Sequence, residues 1–246
     1  MMQFCGSDFI DVSTGKCAFD TENFIAMLEF AKTLPQELNE DYYGEEFWMT
    51  YDSQYREDRT ILMNCYVSEP RDMNRNINGY FGEEISYIGF PTDSGNGSVL
   101  AANSQYVISA KSANLEGAWE FVRYYLTEEY QKEMSYELPV DKAIFMEKVN
   151  ETMENPYYVD EDGVKTEYED TFYINEESIP LPNMSQEQVN EFVSFIEGIN
   201  KPAYYNEDIQ NIITEEAEAF FSGQKTAQDV AAIIQSRAQI FVNENR

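Results

Sequence analysis

Segments with the alternating pattern of a β-strand are few in this chain and lie far apart, among amphipathic helices. The clearest are residues 60–67, with the sequence TILMNCYV, and residues 85–89 and 106–110. Three or four separated strands cannot make the central sheet of an α/β domain unless other strands pair with them. The pattern therefore predicts a helix-rich α/β protein whose sheet is incomplete within this sequence.

Helical periodicity covers most of the remaining chain. The predicted helices share a stripe of apolar residues at spacings of three and four, which marks their buried faces. They cover residues 20–35, 71–79, 112–126, 127–136, 141–153, 185–199, 206–223 and 226–241. Ser112, Ser185 and Asn206 are expected to cap three of them, while Gly79 and Gly223 are expected to end two.

One β-hairpin is predicted where two aromatic runs, within residues 157–173, flank Asp162-Gly163. Asp-Gly is a common turn sequence between paired strands. The same segment is rich in carboxylates, but it does not fit the template of a calcium-binding loop, because Tyr158 occupies the first ligand position. A hairpin is expected here, and an ion site is not.

The charge of the chain limits its partners. It has 46 acidic and 16 basic residues, a formal net charge of −30, and no histidine. Such a field repels nucleic-acid phosphates and anionic lipid surfaces, so neither is an expected partner. Without histidine the usual general base and the commonest zinc ligand are missing. No metal or other cofactor is expected, and no stretch has the length of a membrane span.

The three cysteines, Cys5, Cys17 and Cys65, have neither metal-site spacing nor an even number. A bridge between Cys5 and Cys17 is conceivable, and the sequence alone does not decide it. Cys5 does not resemble a lipid-attachment cysteine, because the preceding MMQF lacks the apolar stretch of a signal. The sequence as given is therefore expected to carry neither a targeting signal nor an anchor.

The run from Ile85 to Leu126 resembles part of a known family. Its sequence is ISYIGFPTDSGNGSVLAANSQYVISAKSANLEGAWEFVRYYL. The GFPT strand and the SAKS…AWEF helix resemble the late part of extracellular solute-binding proteins of ABC sugar importers, the family 1 or maltose-binding-protein-like group. Residues 9–32, 55–69 and 207–244 also resemble segments of that family, and the last of these, its closing helix pair, is the most specific.

The resemblance implies a type II periplasmic-binding-protein-like fold that is incomplete here. Residues 1–83 and 138–246 would form most of the C-terminal lobe, and residues 84–137 would be a return segment belonging to the N-terminal lobe. By comparison with longer relatives, the first lobe, the signal peptide and the lipid-modified cysteine are expected to be missing. The chain would then keep one wall of the cleft, in a protein that is extracellular and lipid-anchored in its full-length relatives.

The resemblance further implies capture of an oligosaccharide, without chemistry, and its delivery to the permease subunits of an ABC transporter. Aromatic rings would stack on the sugar while polar groups bond its hydroxyls. The positions that match the cleft of the family are Tyr66, Ser68, Glu69, Tyr204, Tyr205 and Asn206. The alternative is structural: an ordinary polar turn at the first three, and a helix cap with a packed tyrosine at the others. Trp48 is a weaker candidate.

Two other function classes compete with sugar capture. A secreted carboxylate-dependent glycoside hydrolase needs two carboxyl groups that converge across a cleft, and the adjacent pairs Glu83-Glu84 and Glu215-Glu216 point apart. The lack of histidine and of a nucleophile motif also counts against an enzyme. A protein–protein interaction module is the other alternative, because an exposed lobe face could mediate self-association.

Overall fold

The computed structural model of the protein describes residues 2–34, 44, 47, 50–89, 97–102, 104–134, 137–175 and 177–245. The chain forms two compact units. The first comprises Met1–Glu40, Tyr87–Asn103 and Ile199–Arg246, and the second comprises Asp41–Ser86 and Ser104–Gly198. The predicted assignment of residues 1–83, 84–137 and 138–246 to two lobes stays a prediction.

Helices dominate the described residues and the sheets are small, which confirms the helix-rich α/β class. The helices are α1 Met2–Phe9, α2 Glu22–Lys32, α3 Ser53–Arg56, α4 Pro70–Asn74, α5 Leu115–Tyr124, α6 Glu128–Glu133, α7 Lys142–Glu151, α8 Gln186–Gly198, α9 Glu207–Phe221 and α10 Ala227–Glu244. The strands are β1 Ile10–Asp11, β2 Lys16–Cys17, β3 Tyr157–Val159, β4 Lys165–Glu167, β5 Thr171–Ile174 and β6 Glu177–Pro180.

The core of the first unit is built around three phenylalanine rings. Phe24 of α2 lies edge-on to Phe9 and Phe19, with ring centroids 5.2 and 5.1 Å away. Such edge-to-face pairs add to the stabilisation that burial itself provides. The inward faces of α9 and α10 complete this core with Ile209, Ile213, Ala217, Phe220, Val230, Ala231, Ile234 and Ala238.

Two glutamines of α10 bond the backbone of the β2 segment as a neighbouring strand would. Gln235 Oε1 accepts from Phe19 N at 2.7 Å, and its Nε2 donates to Cys17 O at 3.0 Å. Gln239 Oε1 accepts from Cys17 N at 3.0 Å, and its Nε2 donates to Gly15 O at 2.8 Å. These side chains therefore satisfy peptide groups that β1, on the other side, does not pair.

The helix starts predicted for α8, α9 and α10, and the end predicted for α9, are confirmed. Ser185 and Gln188 exchange side-chain-to-backbone bonds in a capping box, and Asn206 Oδ1 accepts from Ile209 N at 3.0 Å. Thr226 and Asp229 form a second capping box. Gly223, at a φ of 77°, follows α9 in the left-handed conformation that glycine adopts most readily.

The predicted hairpin is confirmed in the second unit, where β3 and β4 pair antiparallel. Asp160 Oδ1 accepts from Asp162 N at 3.0 Å and Val164 N at 2.8 Å, so this carboxylate holds the turn. A second hairpin, β5–β6, pairs Phe172 with Ile179 and was not predicted. Its strands lie close together in sequence, which makes their pairing a local contact.

The predicted strands at residues 60–67, 85–89 and 106–110 are wrong: none of these segments forms a regular strand. The described sheets each have two strands. Within the described ranges no strand pairs with residues 60–67, and Ile61 there is 80% exposed. Gly89 makes only an isolated bridge to Gly97. A strand-like pattern requires a neighbouring strand to become a strand, and none of the described strands pairs with these segments.

The start predicted for α5 is also wrong. Ser112 lies outside the helix, and Asn114 caps it by accepting from Gly117 N at 2.9 Å. Ser112 Oγ instead accepts from Asn114 N at 3.2 Å, so the serine supports the capping residue. None of the residues of α5 is buried, and its apolar stripe therefore lies at the surface.

Gly79 does not end the helix that begins at Pro70. After α4 the chain continues as a π-helical segment, Arg75–Phe81, and it ends at Gly82, whose φ is 73°. Gly79 is instead buried against the ring of Phe172 in β5. An added Cβ at Gly79 would lie 2.9 Å from Phe172 Cγ.

Replacing Gly79 with alanine is expected to destabilise the second unit by about 1–3 kcal/mol, the usual cost of overpacking a core. The matched control is Gly198→Ala at the end of α8, where an added Cβ meets nothing within 4 Å. Hydrogen exchange of peptides from residues 70–81 and 171–180 measures the effect. Equal exchange in both variants would contradict the proposed contact with Phe172.

Candidate functional site

The first group of predicted binding residues lies directly before α4. Tyr66 is 64% exposed. The backbone N–H groups of Ser68 and Glu69 donate to Asp72 Oδ2 at 2.7 and 3.0 Å. The side chain of Asp72, inside the first turn, thus satisfies donors at the helix start.

The carboxylate of Glu69 is already paired. Arg75 Nη1 donates to Glu69 Oε1 at 2.6 Å and to Asp72 Oδ1 at 3.3 Å. The sequence interpretation missed Asp72 and Arg75, although the spacing of three between Glu69, Asp72 and Arg75 was a usable signal for side chains on one helical turn. Of this first group, Tyr66 presents the largest free surface to a ligand.

The second group of predicted binding residues lies before α9. Tyr204 packs against the core of the first unit, and burial raises the pKa of its hydroxyl. Its carbonyl oxygen would lie only 2.8 Å from a Cβ added at Gly6. Asn206 is the cap of α9. Tyr205 is 65% exposed, so it is the member of this group whose ring is available for contact.

Tyr205 lies at the edge of an open groove of about 740 Å³ between α2 and α9. The floor is apolar, and Gln210, Thr214 and Glu218 lie one helical turn apart along its α9 side. The remaining lining residues are Met27, Leu28, Ala31, Ile213, Ala217 and Phe221. Its volume falls within the range of small-molecule sites, about 300–1,000 Å³.

The second unit contains an aromatic cluster that the sequence interpretation did not assign to a site. Tyr55 contacts Tyr80 and Phe81 with ring centroids 5.9 and 5.1 Å away. Burial, together with a hydrogen bond to Tyr51, raises the pKa of Tyr55, and burial raises the pKa of the Asp52 carboxyl. Tyr55 meets Tyr80 edge to face and Phe81 at a tilt, so the rings pack on one another as a cluster. Trp48, the weaker candidate nearby in sequence, lies outside the described residues.

Glu215 and Glu216 have a structural partner in α10. Arg237 donates from Nη2 to Glu215 Oε2 at 2.8 Å and from Nη1 to Glu216 Oε1 at 2.6 Å. This guanidinium group joins α9 to α10 and pairs with both carboxylates of Glu215-Glu216, one of the two glutamate pairs that were weighed for glycoside hydrolysis. In the part of the chain that the structure describes, no group of acidic residues and cysteines has the arrangement of a metal site.

None of Cys5, Cys17 and Cys65 forms a disulfide. Cys5 Sγ lies 3.7 Å from Met27 Sδ, and burial raises the pKa of each of the three thiols. The bridge between Cys5 and Cys17 that the sequence left open is therefore not formed in this structure.

Comparison with known proteins gives one family match. Residues 74–132 match the profile of a family described as bacterial extracellular solute-binding protein. The match covers about a quarter of the chain, including α5 and most of α6, and it supports a relationship with that family. A search of curated proteins finds no match. Over the described ranges, no helix combines the length and apolar composition that crossing a membrane requires.

Proposed function

We propose that this protein binds a carbohydrate outside the cell and delivers it to the permease of an ABC transporter. The observation that carries the proposal is the match of residues 74–132 to bacterial extracellular solute-binding proteins. Binding without chemistry is consistent with the pairing of Glu215 and Glu216 by Arg237. Lipid anchoring and the lobe arrangement of the maltose-binding-like group are part of the same proposal.

Tyr66 and Tyr205 are the residues proposed to contact the sugar. Their rings are exposed, and an aromatic face packs well on the C–H patches of a pyranose. The polar members of the predicted site provide few free hydrogen-bonding groups for the sugar, because Glu69 is paired with Arg75 and Asn206 caps α9. Ring contact with few free hydrogen-bonding groups predicts weak binding.

The proposal is tested by titrating the protein with neutral oligosaccharides, with saturation-transfer NMR as a readout sensitive to weak binding. Tyr66→Ala and Tyr205→Ala are each expected to weaken binding about fivefold or more, the loss of roughly 1 kcal/mol or more that truncation of an important contact side chain causes. The matched control is Tyr173→Ala, because Tyr173 is also 65% exposed.

Two results would count against the proposal in different ways. Binding of peptides or polyamines with no response to any sugar would show that the ligand class is wrong. The second result is that Tyr173→Ala weakens sugar binding as much as Tyr66→Ala and Tyr205→Ala do. The proposed function would then stand, but Tyr66 and Tyr205 would not belong to the binding site.

A further inference from the structure

The β3–β4 hairpin is exposed on both of its faces. Every residue of its two strands is exposed to solvent, and so is each residue from Tyr157 to Glu169. Pro156, directly before β3, is buried, and its carbonyl oxygen accepts from Tyr168 N at 2.9 Å. The hairpin therefore projects from a base at Pro156. It lies outside residues 84–137, which are proposed to belong to the other lobe.

One face of the hairpin carries two tyrosine rings and no charge. Successive side chains of a strand point to opposite faces, and Tyr158 pairs with Thr166. Tyr168, two residues beyond Thr166, lies on the same face, and its ring centroid is 6.5 Å from that of Tyr158. The two tyrosines are 56% and 48% exposed. We call Tyr158, Thr166 and Tyr168 the tyrosine face of the hairpin.

The opposite face shows how a cation binds to a tyrosine of this hairpin. Lys165 Nζ lies 3.9 Å from the centroid of the Tyr157 ring and 3.9 Å from Glu167 Oε1. The ammonium group is thus held by an aromatic ring and a carboxylate together, and each attracts a cation. In the part of the chain that the structure describes, no cation lies over Tyr158 or Tyr168. These two rings therefore keep the capacity to bind one.

The hairpin is also strongly acidic. Residues 157–169 contain five acidic residues and one lysine, and this lysine pairs with Glu167. Within the described ranges, Glu161, Asp162 and Glu169 have no basic residue as a partner. Their negative charge is uncompensated, and it adds to that of a chain whose formal net charge is −30.

These charges decide which partner suits the tyrosine face. A second copy of this chain carries the same net charge and is repelled. A neutral sugar gains no net Coulomb attraction from the carboxylates. A lysine- or arginine-rich segment matches both features of the hairpin, because its cations are attracted by the carboxylates and by the faces of the aromatic rings.

We propose that the tyrosine face and the acidic turn beside it are a docking site for a lysine- or arginine-rich segment of a partner protein. The two exposed rings of the face take the cationic groups as Tyr157 takes Lys165, while Glu161 and Asp162 attract the segment as a whole. The site uses none of the residues proposed to contact the sugar, so it stands or fails independently of sugar binding.

The test is fluorescence anisotropy of a labelled oligoarginine peptide titrated with the full chain at about 0.15 M salt, where a Debye length of ~8 Å screens distant charges. Tyr158→Ala and Tyr168→Ala are each expected to weaken binding about two- to fivefold, as the loss of one exposed cation–π contact does. Tyr158→Phe keeps the ring and is expected to keep binding. Tyr173→Ala, at a tyrosine of β5 that is 65% exposed, is the matched control and is expected to leave binding unchanged.

A second pair of variants separates the hairpin from the acidic character of the whole chain. The double variant Glu161→Gln/Asp162→Asn is expected to weaken binding about threefold, because it removes two uncompensated charges beside the tyrosine face. The double variant Glu83→Gln/Glu84→Gln changes the net charge by the same amount at two exposed residues elsewhere in the second unit. It is expected to leave binding unchanged.

Each contrary result overturns the docking site. These are no binding of the peptide, a Tyr158→Ala variant that binds as the unmodified protein does, and equal loss of binding in the two double variants. Displacement of the peptide by a neutral oligosaccharide would also overturn it and would assign the tyrosine face to a sugar. NMR signals of residues 157–169 report whether each variant keeps the hairpin. If the alanine variants lose it, the double variants decide, because they keep both rings.

Discussion

Replacing Phe24 with alanine is expected to lower the free energy of unfolding of the first unit by about 3–5 kcal/mol. Phe24 is fully buried and lies edge-on to Phe9 and Phe19. The substitution removes two ring pairs and leaves a cavity between α2 and α10, two helices that pack together. Since small domains are stable by only about 5–15 kcal/mol, this is a large share of the total.

The effect is measured by hydrogen exchange of peptides from residues 207–244, whose exchange through unfolding is expected to accelerate about a hundredfold or more. Phe30→Ala is the control, because Phe30 lies on the same helix and is 56% exposed. Its exchange is expected to match that of the unmodified protein. Peptides from α7 and α8, in the second unit, report any loss of stability that is not specific to the first unit.

The double substitution of Gln235 and Gln239 by alanine is expected to destabilise the first unit by about 2–5 kcal/mol. Four hydrogen bonds to the backbone of residues 15–19 are lost. A partly buried peptide group left without a partner costs about 1–3 kcal/mol, and part of that cost is recovered where water reaches the group. The strand β2 is expected to open with α10 still helical.

Exchange of peptides covering residues 10–20 and 227–244 distinguishes these two segments. In the double variant we expect fast exchange in the peptide of residues 10–20 and slower exchange in the peptide of residues 227–244. Gln210→Ala is the control, because the amide of Gln210 donates to Thr214 Oγ1, on the same helix, at 3.4 Å and does not bond the β2 segment. If the double variant exchanges no faster than the Gln210 variant, the glutamines do not hold β2.

The candidate site shows how far residue types predict a binding surface. All six predicted residues adjoin a helix start, as expected for loops that lead into α4 and α9. The sequence indicated that Asn206 caps a helix, but it did not decide which of the other five residues are already used by the fold. Arg75 pairs with the carboxylate of Glu69, Asn206 caps the first turn of α9, and Tyr204 packs against the core of the first unit. The contacts of Glu69 and Tyr204 are medium-range or tertiary, and together with the local Asn206 cap they leave Tyr66 and Tyr205 as the exposed rings.

Caps and turns are the part of the fold that could be predicted. The capping boxes at Ser185 and Thr226, the Asn206 cap and the Asp162-Gly163 turn each join residues no more than four apart. Their chemistry acts inside one turn of chain, and neighbouring elements have little influence on it. Asn114 is the exception, since Ser112 is an equally suitable residue two positions earlier.

The sequence by itself determined the helix-rich class, the starts of α8, α9 and α10 and the first hairpin, because these depend on contacts between near neighbours in the chain. The tertiary structure alone decided that residues 60–67, 85–89 and 106–110 form no regular strand, that Gly79 packs against Phe172, and that α5 keeps its apolar stripe exposed. The physical reason is pairing: a strand, a glycine contact or a buried helix face exists only if another part of the chain covers it. No local pattern records whether that cover is present.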